Sequence, residues 1–142
     1  MEKIAILYWS GTGNTALMAD AIAKGVREAG AEPVVVNISE DASIALESYE
    51  HIALGCPSMG DEVLEETEFE PFYESVKAKL SGKKVALFGS YGWGDGEWMR
   101  VWEEDVEHIG AKLFETGLMI NGEPDNIGEA NCSEFGKRFS AS

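Results

Sequence analysis

Basic residues are scarce in this sequence. Eleven lysines and arginines stand against 26 aspartates and glutamates in 142 residues, a formal net charge of −15. So acidic a surface repels nucleic acid and anionic membranes, because both need cations to neutralise their phosphates. It attracts partners with basic patches, and it favours a soluble monomer. Cysteine is nearly absent. Cys56 and Cys132 form no CxxC or metal-type spacing, so neither a disulfide framework nor a thiolate metal site is expected. Cys56 ends an apolar run and reads as a small buried hydrophobe. Long hydrophobic runs are missing as well: no stretch approaches the roughly 20 apolar residues of a membrane span. The opening "MEKIAILYW" carries one lysine before a short apolar run and reads as a strand, not a signal peptide. The expected compartment is the cytoplasm. With only two histidines, His51 at a strand start and His108 at a helix end, no nucleophile–His–acid set emerges. His108 reads as a favourable charge near a helix C-terminus.

What is present is the composition of an ordinary globule, 44% hydrophobic and 26% charged, and its length predicts a single domain over residues 1–142. Apolar runs of strand length occur at 3–9, 33–38, 51–56, 84–90 and 111–120. The first, third and fourth are almost continuous, the mark of strands buried on both faces. Pro33 opens the second and suits an edge strand. Helical stripes lie between the runs. Met18, Ile22 and Val26 make the first, ahead of Gly30. Phe69, Phe72, Tyr73, Val76 and Leu80 make another, with Pro71 placing its start near Phe69 or Glu70. Trp98, Met99, Trp102, Val106 and Ile109 make a third, closed by Gly110, and Cys132, Phe135 and Phe139 a fourth. The weaker pattern at 41–48 reads as one short helix. Strict alternation of strand and helix predicts an α/β fold, a doubly wound five-stranded parallel sheet in the order 2-1-3-4-5 with helices on both faces. In such sheets ligands bind beyond the carboxyl ends of the strands, at the switch point between strands 1 and 3.

Three loops at those ends carry the chemistry. The first, Ser10-Gly11-Thr12-Gly13-Asn14-Thr15, joins strand 1 to a helix. Backbone N–H groups at a helix N-terminus bind anions without a formal charge, and the hydroxyls of Ser10, Thr12 and Thr15 are further donors. GxxxxGK[ST] is absent, while Gly11, Gly13 and Ala16 match the dinucleotide pattern GxGxxG/A only weakly, in a chain too short for two nucleotide-binding halves. The bland alternative is a helix cap with no ligand. The second loop runs through "CPSMGDE", Cys56 to Glu62. Beside Gly60 a peptide can reverse its orientation at low cost; a plain tight turn would look the same. The third is "GSYGWGDGEW", Gly89 to Trp98. Trp98 and Trp102 sit at helical spacing and read as core, but Trp93 and Tyr91 on a glycine-rich loop call for a planar partner to stack on. A phosphate at one end, a polar chain between and a flat aromatic ring at the other describe flavin mononucleotide, FMN.

The segments "YWSGTGNT", "LGCPSMGDE" and "LFGSYGWGDGEWM" resemble the short-chain flavodoxins, and the likeness runs over the whole length. The resemblance implies the flavodoxin-like fold and non-covalently bound FMN. It implies a low-potential carrier of single electrons, shuttling between hydroquinone and neutral semiquinone, and not an enzyme. Ser10, Gly11, Thr12, Gly13, Asn14 and Thr15 would hold the phosphate. Met59, Gly60, Asp61 and Glu62 would border the ring, with Met59 on its inner face and Glu62 in the place of the residue that accepts the ring N3–H. Trp93 would stack on the outer face. Ser90, Tyr91, Gly92 and Gly94 would line the pyrimidine side and ribityl chain. Ser58 borders the same loop beside Pro57, where some relatives carry a phosphate-binding serine; proline has no hydroxyl to offer. A peptide flip at Gly60 would supply an acceptor for the hydrogen on flavin N5. Redox partners with basic docking patches are implied too. Two rivals share the fold class. An NAD(P)H-dependent flavin or quinone reductase needs basic contacts that these loops lack. A signalling receiver needs an acidic pair after strand 1 and an aspartate at the end of strand 3, where this chain has "YWS" and "GCPS".

Overall fold

The computed structural model describes residues 2–142. Its strands are β1 (Lys3–Tyr8), β2 (Glu32–Asn37), β3 (His51–Gly55), β4 (Lys84–Tyr91), β5 (Lys112–Leu113) and β6 (Leu118–Asn121). Its α-helices are α1 (Asn14–Glu28), α2 (Phe69–Val76), α3 (Glu97–His108) and α4 (Asn126–Ala141). The strands are parallel in the order β2-β1-β3-β4-β5, with β6 also paired to β4.

The continuous apolar runs follow from two separate cores. Alternate residues of a strand face opposite sides of a sheet. In β1, Ile4 and Ile6 join one core and Ala5 and Leu7 the other; β4 divides the same way, Ala86 and Phe88 against Val85 and Leu87. The first core is closed by Met18, Ile22 and Val26 of α1 with Cys132, Phe135 and Phe139 of α4. The second is closed by Phe69, Phe72 and Tyr73 of α2 with Trp98, Trp102 and Val106 of α3. Every face of these central strands must therefore be apolar, and no polar alternation survives. β2, at the edge, is only half-buried.

Two expectations are corrected. The run 111–120 is not one strand. From Leu113 to Leu118 the chain takes five steps while its partner β4 takes three, from Val85 to Phe88. The surplus residues bulge out, with Glu115 at φ +54 and the Gly117 N–H donating to Glu103 Oε2 at 2.5 Å. Residues 41–48 do not form an α-helix; only a single 3-10 turn appears, Leu46–Ser48. Pro71 falls in the first turn of α2, as its lack of an N–H requires.

The loops after β1, β3 and β4 are drawn together at one end of the sheet. Trp9 donates to the Gly55 carbonyl at 3.0 Å, Cys56 to that of Phe88 at 3.1 Å and Ser58 to that of Ser90 at 3.0 Å. Among the described residues no helix is long and apolar enough to cross a membrane.

Candidate functional site

The first loop is shaped by its own hydroxyl. Ser10 Oγ accepts from the Gly13 N–H at 3.1 Å and the Ala16 N–H at 3.3 Å, which turns the chain into α1 with Gly13 at φ +99. Among the described residues the N–H groups of Gly11, Thr12, Asn14 and Thr15 have no acceptor. They are the orphan donors of a helix start and the peptides before it, where the helix dipole adds partial positive charge. Thr15 is turned inward instead. Its Oγ1 lies 3.0 Å from Ser90 Oγ and accepts the Ser90 N–H at 3.3 Å, so these two buried residues tie the first loop to the third.

The second loop is a small hairpin. Met59 and Val63 exchange N–H···O bonds of 2.8 and 2.9 Å, and the turn between them has Gly60 at φ +52 and Glu62 at φ +57. Among the described residues the peptide joining Gly60 to Asp61 makes no hydrogen bond. The Met59–Val63 pairing holds the stem on either side of a peptide that can turn over without breaking it.

Glu62 reaches across to the third loop. Its Oε1 accepts from the Gly96 and Glu97 N–H groups, both at 3.2 Å, and so caps α3, whose own cap residue supplies no side chain. Gly94, at φ +88, lies under that carboxylate, and a Cβ there would collide with it. The second and third loops are thus joined through Glu62 and Gly94. A further tie is the Trp98 indole N–H, which donates to the Cys56 carbonyl at 3.2 Å. Burial pushes the Cys56 thiol well above its usual range, so it is an inert part of the floor.

Between the loops lies a cleft of about 230 Å³ lined by Gly11, Thr12, Asn14, Pro57, Ser58 and Met59 on one side and Ser90, Tyr91, Gly92 and Gly122 on the other. Nine of these ten were expected from sequence; Gly122, whose N–H donates to the Tyr91 carbonyl at 2.8 Å, was not. The Asn-Gly pair at the end of β6 was its only signal. Ser10, Gly13 and Thr15 support the cleft from beneath. Gly60, Asp61, Trp93 and Gly94 stand outside its lining, on the loop tips. Trp93 is 62% exposed and Met59 38%, a high exposure for apolar side chains with no partner. Among the described lining residues there is no lysine or arginine.

The arrangement suits FMN. Four free N–H groups in a cationless loop fit a phosphate, glycines and small hydroxyls flank a narrow passage, and an exposed tryptophan stands at its rim. The model of the family described as Flavodoxin matches residues 6–136. A flavodoxin of Clostridium beijerinckii is 54% identical over 134 residues, covering 94% of this chain and 96% of that protein. One of Megasphaera elsdenii is 46% identical with the same coverage. Among solved structures, the solution structure of two-electron reduced Megasphaera elsdenii flavodoxin superposes with a TM-score of 0.77 at 44% identity, covering 98% of this chain and 99% of that one. Oxidised flavodoxin 1 from Bacillus cereus superposes with a TM-score of 0.86 at 33% identity, covering 99% and 98%.

Proposed function

The chain belongs to the flavodoxin family, and from that premise we propose that it carries electrons singly, at low potential, on FMN held in the cleft between its three loops. The observation that carries this reading is the set of free N–H donors at Gly11, Thr12, Asn14 and Thr15 in a cleft without a basic side chain. Bound there, FMN supplies a ring that accepts and releases electrons one at a time. The chain's own residues do the rest. The first loop anchors the phosphate by backbone donors and the Ser10 and Thr12 hydroxyls. Pro57 and Ser58 close one wall; Ser90, Tyr91, Gly92 and Gly122 form the other, with Gly94 beyond them at the loop tip. Met59 and Trp93, both exposed beside the cleft, would cover the two faces of the ring. The peptide between Gly60 and Asp61, free of hydrogen bonds within the chain, would be the one able to offer its carbonyl to a proton held on the ring. Glu62 keeps the turn fixed to α3 through Oε1 and has Oε2 left to accept from the ring's N–H.

The net charge of −15 supports a reading in which the partners are redox proteins with basic patches, met in weak, salt-sensitive encounters by a monomer in the cytoplasm. Titration with FMN followed by stepwise anaerobic reduction, watched in the visible spectrum, tests this. A yellow complex that turns blue before it bleaches supports a single-electron carrier. Bleaching in one step, with oxidation of NAD(P)H by the pure protein, would make it a reductase. Failure to bind FMN would end the proposal.

A further inference from the structure

A second groove, of about 400 Å³, runs between α2 and α3 on the far side of the Met59–Val63 turn. Its floor is apolar: Val63, Leu64, Trp98, Val101 and Trp102. Two of these are open to solvent, Val101 at 59% and Val63 at 38%. Its rim is acidic, made by Asp61, Glu62, Glu70, Glu74, Glu97 and Asp105. One cation already sits at its end. Lys77 Nζ is 2.8 Å from Glu74 Oε2, 3.6 Å from Asp105 Oδ2 and 5.7 Å from the centre of the Tyr73 ring. That corner shows what the groove offers a cation, two carboxylates and an aromatic face. Among the described residues Asp61, Glu62, Glu70 and Glu97 form no ion pair. The Trp102 indole N–H, buried in the same wall, has no acceptor.

We propose that this groove anchors one arginine or lysine side chain of a basic protein partner. The inference rests on the reading of the chain as a carrier that meets such partners. A long basic side chain matches both features: its methylene stem covers Val101, Val63 and the tryptophan edges while its charged head reaches the unpaired carboxylates. Arginine matches best, since its planar head also stacks on aromatic faces. The placement serves electron transfer. The turn that walls the groove also carries Met59 into the cofactor cleft, and Trp98 on the groove floor meets Tyr91 of the cleft at 5.7 Å between ring centres. A partner held here lies one turn away from the exposed Met59 and Trp93.

The test is an NMR titration of the FMN-loaded protein with a hexa-arginine peptide at low salt, following the indole N–H signals of Trp98 and Trp102. Two variants are compared, Val101→Lys in the groove and Asp20→Asn on α1, in a different groove against α4. Each removes one unit of net negative charge. The expected result is a shift of both indole signals in the parent. The dissociation constant should rise about tenfold or more in Val101→Lys, where like charges are placed together, and less than about twofold in Asp20→Asn, whose charge is remote and screened. Equal weakening in the two variants, shifts confined to other faces, or no binding would overturn the proposal. FMN binding is measured separately by fluorescence. Its loss would sink the carrier reading while leaving the groove testable in the FMN-free protein, and a failure at the groove leaves the cofactor reading intact.

Discussion

Replacing Gly60 by alanine separates the turn's structural task from its electronic one. Gly60 stands at φ +52, a region that costs an L-residue about 1–2 kcal/mol. A Cβ at this position meets nothing within 4 Å, so no clash adds to that cost, and the stiffer unfolded chain returns about 0.4–1 kcal/mol of it. Stability of the FMN-free protein in urea should therefore fall by only about 1 kcal/mol. The cofactor-bound protein should feel more. If the reversed peptide supplies a carbonyl that bonds only after the first electron and proton arrive, the bond contributes roughly 1 kcal/mol, or about 40 mV for one electron. Reversing the peptide swings Gly60 ψ by about 180° at positive φ, toward a region that is essentially glycine's alone, so alanine burdens the reversed form beyond its cost in the free protein. The first-electron potential should then drop by about 40 mV while the second moves far less, since the same hydrogen is present before and after it. Anaerobic potentiometry with spectral separation of the two steps reads both values. Equal shifts of the two, or no shift in a variant that still binds FMN, would show that the peptide at Gly60 is not the device.

Four more substitutions test the neighbouring parts. Glu65, 6% exposed, accepts the N–H groups of Thr67, Glu68 and Phe69 at 2.9, 2.7 and 2.8 Å, together with the Thr67 hydroxyl. Burial pushes its pKa up, but those bonds outweigh it and hold the carboxyl below the usual range. Its contribution is therefore complete above the unfolded carboxylate pKa of about 4.3 and is lost as pH falls through the lower folded value. Glu65→Gln should cost about 2 kcal/mol at neutral pH and flatten the acid limb of a stability–pH curve; an unchanged limb would refute the cap. Gly94→Ala should cost about 2 kcal/mol, from the positive φ and from displacing Glu62 off the start of α3, and urea melts of Gly94→Ala and Glu62→Gln alongside the double variant should show coupling rather than a plain sum. Trp93→Ala should leave the FMN-free stability within about 0.5 kcal/mol, because the ring is exposed, yet raise the FMN dissociation constant roughly 10- to 100-fold by removing a stacking face; fluorescence titration measures it, and unchanged affinity would remove Trp93 from the site.

The parts legible in sequence were those whose chemistry is local. The runs at β1, β3 and β4 announce strands between two cores, because both faces of each must be apolar. Pro71 marks a helix start because its ring demands one. The free donors of the first loop are legible because they belong to the backbone at a helix start, whatever its side chains do. What escaped depends on contacts distant in the chain. Glu65 sits in the acidic stretch "EVLEETEFEP", where nothing distinguishes a buried cap from a solvated charge until α2 folds over it. The cap that Glu62 Oε1 gives to two peptides 34 and 35 residues on has no signal in the sequence. The break between β5 and β6 is invisible to periodicity, since two surplus residues leave the alternation of a period-2 pattern in phase. The groove between α2 and α3 exists only once Trp98, Val101 and Trp102 of one helix face Tyr73 of the other.

Electrostatics joins these pieces into one argument. Backbone donors fix a phosphate by direction and partial charge, and they leave its formal charge in place. Each electron added to a ring beside it enters a chain of net charge −15. Distant carboxylates are screened beyond about 10 Å at ordinary salt, so the nearest ones set the cost, and Asp61 and Glu62 stand on the turn beside the cleft proposed for the ring. The same two residues rim the groove proposed for a basic partner. A cation docking there places positive charge close to the turn and so makes the reduced ring easier to form and harder to oxidise. On the proposed reading, the carboxylates that favour a strong donor would also be the contacts through which a partner weakens that drive on docking. A weak, short-lived encounter limits how long the opposing effect lasts. The acidic surface is best matched to partners that bind loosely and leave at once.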